Sequence, residues 1–561
     1  MSRAMKAVPL VVLCALIVAV PSVWANWVLD GVAICTATGD QHFPTIVSDG
    51  AGGAFVTWHD LRSGSANLDI FVQSVNASGA VQWAVDGMPL CTATGSQEYP
   101  KIISDDAGGA IVTWADYRNG SDWNIFAQRV NAKAAVLWTI DGVALCAATG
   151  WQNLPTITSD GAGGAIVTWQ DERSGNRDIY AQGVNASGGI QWTGNGVALC
   201  TRTGDQDSPT IISDGAGGAI VTWYDYRSGA PDIYAQRVNS KGAVLWTTDG
   251  VPLCTAANYQ TLPTIVSDDA GGAIVTWGDR RSGNYHIYAQ RVNASGVVQW
   301  TADGVALCTA TGDQYSPTII SDGAGGAIVT WYDVRSGNSD IYAQRVNASG
   351  VVQWTANGVA LCTAMGDQWV PTIVPDGAGG AIVTWYDVRS GNSDIYAQRV
   401  SALGVVQWAA NGVPLCTATG DQSYPQIISD GAGGAIITWM DDRSGNSDIY
   451  ALRIDANGST GVTASDAPAV PIELQQNYPN PFNPTTTVAY SVPERCNVAL
   501  KIYDVSGKCV ARLVDKEQEK GSYTVAWNGK DETGNSMASG IYLYRLSAGN
   551  QTIAKKMVLL R

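Results

Sequence analysis

The apolar residues of this chain fall into short alternating runs, not helical stripes. Each run is rich in Val, Ile, Thr, Tyr and Trp, and clusters of Gly, Asn, Asp and Ser separate the runs. That is the pattern of strands joined by tight turns. The runs come in sets of four. One set occupies residues 209–213, 219–224 and 232–238, with a fourth run that starts at 244–246 and continues past a turn through 251–254. No segment of helical period and useful length lies between them. The set recurs eight times, about every 54 residues, from Asn26 to Asp455.

Four antiparallel strands per unit, repeated at this period, predict a β-propeller. A β-solenoid is the alternative, and its coils are much shorter. The array begins with a fourth strand, from 27–29 onward, that has no preceding three. It ends after a third strand at 448–454. The orphan strand is expected to complete the last blade, close the ring and remove two open edges. The expected fold class is therefore all-β: an eight-bladed propeller over residues 26–457.

Positions that agree in all eight copies read as framework. The strand-two tryptophans (Trp58, Trp114, Trp169, Trp223, Trp277, Trp331, Trp385, Trp439) are expected to pack blade on blade. A D-x-R pair follows each of them, as in Asp225 and Arg227. An element repeated eightfold suits a loop clamp better than an asymmetric catalytic site. Turns of the type DGAGG and NASG join the first strand to the second and the third to the fourth. Their Gly and Asn residues permit positive φ. The NAS sequons at Asn76, Asn185, Asn293 and Asn347 are accounted for by that turn.

The copies disagree on one face, where strand two joins strand three and one blade joins the next. Of 21 Trp, sixteen belong to two repeat series, and Trp123, Trp151 and Trp369 fall in loops of this variable face. Phe43, Tyr99, Tyr259, Tyr285, Tyr315 and Tyr424 fall there too. Aromatics on loops over a rigid scaffold suit sugar stacking or anchoring of a protein. These are the candidate ligand-binding residues.

Composition narrows the partners. A net charge of -16 with 15% charged residues argues against nucleic acid, which needs clustered Lys and Arg. Eight cysteines recur once per repeat, from Cys35 to Cys416. They read as small buried hydrophobes, because equivalent points around a ring are too far apart to pair. No CxxC pair suggests a metal site. Ca²⁺ is only weakly suggested by loops such as Asn338-Ser339-Asp340, which lack dense acidic spacing. No cofactor is expected. The three His (42, 59 and 286) and the unrepeated acids Glu98 and Glu172 give poor support for catalysis, so the chain is expected not to be an enzyme.

Both ends differ from the array. Arg3, Lys6, an apolar stretch at 7–20, and small residues at Val23 and Ala25 read as a signal peptide, residues 1–25, cleaved after Ala25. No transmembrane run is expected after that cleavage. Residues 458–471 read as a linker, and 472–561 as a small β-sandwich. Within it, Asn477-Tyr478-Pro479-Asn480-Pro481-Phe482-Asn483-Pro484, KIYDVSG ending at Gly507, W-N-G from Trp527, SGIYLYRL with Gly540 and Tyr542, and KKMVLLR with Lys556 resemble the type IX (Por) secretion system C-terminal sorting domain, related to the FlgD/Vpr Ig-like family. The propeller is similar only generically to TolB-like and other secreted bacterial repeat propellers. The sorting-domain resemblance implies passage through outer-membrane secretion machinery, and a secreted or surface-attached bacterial protein. The expected function is binding of a glycan or protein. An extracellular polysaccharide hydrolase or lyase, and a structural adhesion component, are the alternatives.

Overall fold

A computed structural model of the chain describes residues 27–64, 67–460, 473–492, 496–505, 507–519, 521–548 and 551–561. The expected signal segment and most of the expected linker lie outside the described residues. The chain divides into two compact units, residues 1–464 and 465–561. Among the described residues every regular element is a strand.

The first unit holds eight four-stranded antiparallel sheets, one per repeat. In the fourth repeat the strands are Gln206–Ser213, Ala219–Asp225, Asp232–Val238 and Val251–Cys254. The eighth sheet borrows its last strand. Val32–Cys35, from the start of the array, pairs antiparallel with Asp448–Ile454. The backbone hydrogen bond that joins successive repeats also joins the eighth to the first, from the Gln41 amide to the Ser447 carbonyl at 2.6 Å, and the bond that other repeats make within themselves ties Arg443 to the Asp30 carbonyl of the borrowed segment at 2.6 Å.

Three details differ from the sequence-based expectation. Of the borrowed segment expected from 27–29 onward, only the part past the turn, Val32–Cys35, is strand; Trp27 instead sends its indole N–H to the Ala77 carbonyl at 3.1 Å. The first strand of each repeat is not short but eight residues long, because the Q-x-x-P segment is already paired. The 244–246 run is not a strand; Val244 makes a single bridge to Val238. There the Gln236 amide side chain replaces the ladder, donating to the Thr247 carbonyl and accepting from the Trp246 amide.

The repeated D-x-R pairs are clamps. Each second-strand Trp is fully buried, and its indole donates to the Asp carboxylate, as Trp223 does to Asp225 at 3.0 Å. The Arg grips the same carboxylate at 2.5–2.7 Å in all eight repeats. In the fourth repeat Arg227 also bonds the Asp249 carbonyl and lies over the Tyr234 ring. It reaches the preceding repeat's Cys200 sulfur at 3.1 Å. The eight cysteines are buried and unbridged, and burial pushes Cys35 up to about 12. A β-carbon on Gly250, at φ +90°, would meet the Trp223 ring at 2.7 Å. The turn glycine thus serves both backbone conformation and indole packing.

The second unit packs a three-stranded sheet and a four-stranded sheet around one apolar core. Cys509 pairs with Tyr503 and Ala511 with Ile502, because a bulge shifts the register between them.

Candidate functional site

The first strand of every repeat bends at its proline. The residue before each proline has positive φ, from 49° to 55°, in all eight copies: Phe43, Tyr99, Leu154, Ser208, Leu262, Ser316, Val370 and Tyr424. The ladder register shifts at the same point, as between Asp207 and Thr210. Proline disfavours helical φ/ψ in the residue before it, and a bulge re-aims side chains. The bend brings residues around the prolines of repeats two to six to a shared cavity of ≈ 390 Å³. Phe43, Tyr424, Tyr99 and Lys101 share a smaller adjoining pocket.

A second variable series is aligned with this one. The residue two before each proline pairs across the ladder with the residue between the invariant Trp and Asp of strand two. The pairs include His42 with His59, Asp207 with Tyr224, Tyr315 with Tyr332 and Trp369 with Tyr386. Sequence reasoning missed the strand-two partners. The signal was present: x in W-x-D is His, Ala, Gln, Tyr, Gly, Tyr, Tyr and Met along the array.

The expected aromatic residues divide into three groups. Trp369, Tyr386, Tyr424, Phe43 and Tyr99 form an unbroken chain of ring contacts, with centroids 5.5, 6.4, 5.2 and 6.1 Å apart in that order. This arc spans repeats seven, eight, one and two. Tyr285, Tyr315 and Tyr332 form a second group at 5.4 Å spacings. Trp123 lies against Tyr117, while Trp151 and Tyr259 stand exposed, with no ring contact among the described residues. Two expectations are corrected here. Phe43, Tyr99, Tyr315, Trp369 and Tyr424 sit in strands, not loops. Trp123, Tyr285, Tyr315 and Trp369 are half-buried, and the Trp369 indole is tied to the Ser339 hydroxyl at 3.0 Å. Phe43, Tyr99 and Tyr424 keep 38–42% exposure despite touching one another.

The charged groups collect elsewhere. Arg177 bridges Asp205 at 2.8 Å and Asp207 at 2.6 Å. Asp207 is buried, and burial pushes its carboxyl up to about 6 despite Arg177. Glu172 acts on Asp207 through its charge. Glu98 has its own upward shift from burial, so the two acids nominated from sequence have different surroundings. His59 is held down at about 4, by burial first and then by His42. Its Nδ1 is buried without a partner. Among the described residues no three His, Cys, Asp or Glu gather as a metal site. Asn338 spends its amide on Asp340 and on the Gly366 carbonyl.

In the second unit the motif residues build the fold. Phe482 is buried against Trp527, which meets Tyr542 edge-on. Asn477 is buried, and its side chain donates to the Pro479 carbonyl and the Thr486 hydroxyl. Asn480 accepts from the Val558 amide, and the Lys556 carbonyl accepts from Gln476. Gly507 takes φ +83° in its turn, and Gly540 opens the strand Gly540–Ala548. Tyr478, Pro479, Pro481, Asn483 and Pro484 stay exposed.

Comparison with known proteins gives one family match, the FlgD Ig-like domain, over residues 483–552. No curated protein matches the chain. Similar solved structures include a PL25 ulvan lyase (TM-score 0.41, 11% identity, 79% of this chain and 98% of that one). A protein of unknown function from Dyadobacter fermentans is another (0.32, 12%, 57% and 98%). A third is the α-L-arabinanase of Penicillium chrysogenum bound to arabinobiose (0.35, 12%, 64% and 93%). Enzymes stand among these structures, so the expectation that this chain is not an enzyme does not stand. At these scores the likeness assigns no activity to it.

Proposed function

We propose that the eight sheets close into an eight-bladed propeller whose variable face binds a glycan chain across the mouth of the central cavity. Closure is supported by the borrowed strand Val32–Cys35 and by the seam bonds to Ser447 and Asp30. The binding reading rests on the arc from Trp369 to Tyr99. Phe43, Tyr99 and Tyr424 meet at tilted or edge-on angles and keep about two-fifths of their surface open, so they present apolar ring surface that suits the C–H faces of sugars. The arc supplies several such faces in a row, as a chain of sugar units requires. Expected binding by Trp151 and Tyr259 is set aside in this reading, because neither joins the arc.

A glycan array with the mature chain tests it. Phe43→Ala with Tyr424→Ala is expected to lower binding at least ten-fold, while Trp151→Ala leaves it within about two-fold. Unchanged binding in the double variant sinks the arc.

A second reading, cleavage of the bound chain, is favoured by Asp207, whose carboxyl titrates near 6 beside Arg177 and Tyr224. A carboxyl protonated near neutrality is suited to donate a proton to a leaving oxygen. Release of new chain ends by wild type and not by Asp207→Asn is the expected sign. Equal release by both removes Asp207 from that role.

The second unit carries the export proposal. With residues 1–25 as signal and 472–561 as address, the protein passes through type IX machinery to the cell surface or medium. Loss of residues 472–561 is expected to leave the propeller inside the outer membrane.

A further inference from the structure

One position at the cavity breaks a repeated bond pattern. In six repeats the residue after the proline is a Thr whose hydroxyl donates to the proline carbonyl of the next repeat, at 3.2–3.4 Å: Thr45, Thr156, Thr210, Thr264, Thr318 and Thr372. In repeat two that residue is Lys101, and in repeat eight it is Gln426, which bonds its own Pro425 carbonyl instead. Both exceptions flank repeat one, and both line the pocket shared by Phe43, Tyr99 and Tyr424. Two separate observations thus fall on one spot: the aromatic cluster, and the gap in the threonine pattern.

Lys101 is an unusual occupant. Its side chain is open along the cavity yet walled by protein, and burial lowers its ammonium pKa. Among the described residues it has neither an ion-pair nor a hydrogen-bond partner. It lines three adjoining cavities, one of them with residues of repeats eight, one, three and four. An ammonium held in poorly solvated surroundings without a counter-charge is costly. An anionic group entering the pocket would offset that cost, and the charge-assisted bond gained exceeds a neutral one.

Resting on the glycan reading above, we infer that the ligand is an acidic glycan. A carboxylate or sulfate ester of one sugar unit pairs with Lys101 while neighbouring units stack on Phe43, Tyr99 and Tyr424. The arc supplies affinity for the sugar, and Lys101 supplies the choice of an anionic one.

Calorimetric titration of the mature chain separates the two parts. The probes are oligogalacturonate, the same oligomer fully methyl-esterified, a sulfated galactan oligosaccharide and an oligoglutamate peptide. Wild type is expected to bind an anionic oligomer about ten-fold more tightly than the ester, the scale of one charge-assisted bond. The galacturonate and sulfated arms tell carboxylate from sulfate. Lys101→Thr restores the residue found in six other repeats and is expected to fold. It should abolish the preference while holding ester affinity within about two-fold, and Lys101→Arg should keep the preference. A preference that survives Lys101→Thr, or equal binding of acid and ester by wild type, overturns the inference and leaves the arc standing. An unaffected Phe43→Ala, Tyr424→Ala variant that still prefers the acid overturns the arc and leaves Lys101 standing. Oligoglutamate bound as tightly as any glycan overturns the sugar class, and no glycan binding at all overturns both.

Discussion

Two buried aspartates of repeat four each meet an arginine in different surroundings: Asp225 pairs with Arg227 two residues on, and Asp207 with Arg177 of repeat three. Asp225 is fully buried and fully used: it accepts from the Trp223 indole, twice from the Arg227 side chain, and from the Arg227 amide. The same arrangement appears in all eight repeats. The Asp207 carboxylate is nearly as buried but accepts from Arg177 alone among the described residues, and burial pushes it up to about 6. No other repeat has it. Satisfied burial makes framework, while burial left half-satisfied makes a group whose protonation changes near neutral pH.

The largest expected effect lies on the framework side. Trp223→Ala removes a fully buried indole and takes one of the donors from Asp225. It is expected to cost about 3–5 kcal/mol, read as a lowered denaturation midpoint with the glycan affinity of the folded fraction kept. A loss below about 1 kcal/mol would mean that the clamp does not hold the sheets together. Asp207→Asn, by contrast, is expected to cost under about 1 kcal/mol near neutral pH, because the amide oxygen still accepts from Arg177.

Acid titration sharpens the contrast further. Asp207 has a raised folded pKa of about 6 against 3.8 unfolded. The folded state therefore holds the extra proton, and the stability it contributes is fully present below pH 4 and lost as pH rises through 6. His59 has a folded pKa of about 4 against 6.5 unfolded. Its contribution is present above pH 6.5 and lost as pH falls through 4. The two slopes oppose each other in the same window, each at most about 1.4 kcal/mol per pH unit. His59→Gln is expected to make the protein relatively more acid-tolerant, and Asp207→Asn relatively less. Denaturant midpoints between pH 4 and 7 that move together in the two variants would refute the assignment.

Much of this was legible in the residues. The period and strand chemistry of eight copies point to the sheets, and the orphan strand points to the seam. The eightfold D-x-R reads as framework because a site needs asymmetry. The mouth was harder to read. Phe43, Tyr99 and Tyr424 look like loop residues, since nothing local announces that a pre-proline bulge puts them inside a strand. The strand-two partners such as Tyr386 hide between two invariant residues, and only the cross-strand register brings Tyr386 to Trp369. Lys101 looks like an ordinary surface lysine in P-K-I-I until the threonine bonds of the other repeats identify what it replaced.

That replacement provides the finest test of the framework and the mouth, because both lay claim to the same strand position. If the threonine bonds are framework, Lys101→Thr completes the missing step to repeat three and removes an unpartnered ammonium. The variant should then be more stable than wild type, by about 1 kcal/mol for one added hydrogen bond. Thr210→Lys, the converse change in repeat four, should be less stable by a similar amount. The gain from Lys101→Thr should grow as pH falls and the wild-type ammonium stays charged. It should shrink as pH rises through the lowered lysine pKa, because a neutral amine costs less in that pocket. A variant that gains stability and loses the acid preference shows a residue kept at the expense of the fold, as groups at binding sites often are. If Lys101→Thr is instead less stable than wild type at every pH, then Lys101 is already well accommodated in the framework, and the boundary drawn between framework and mouth at this position fails.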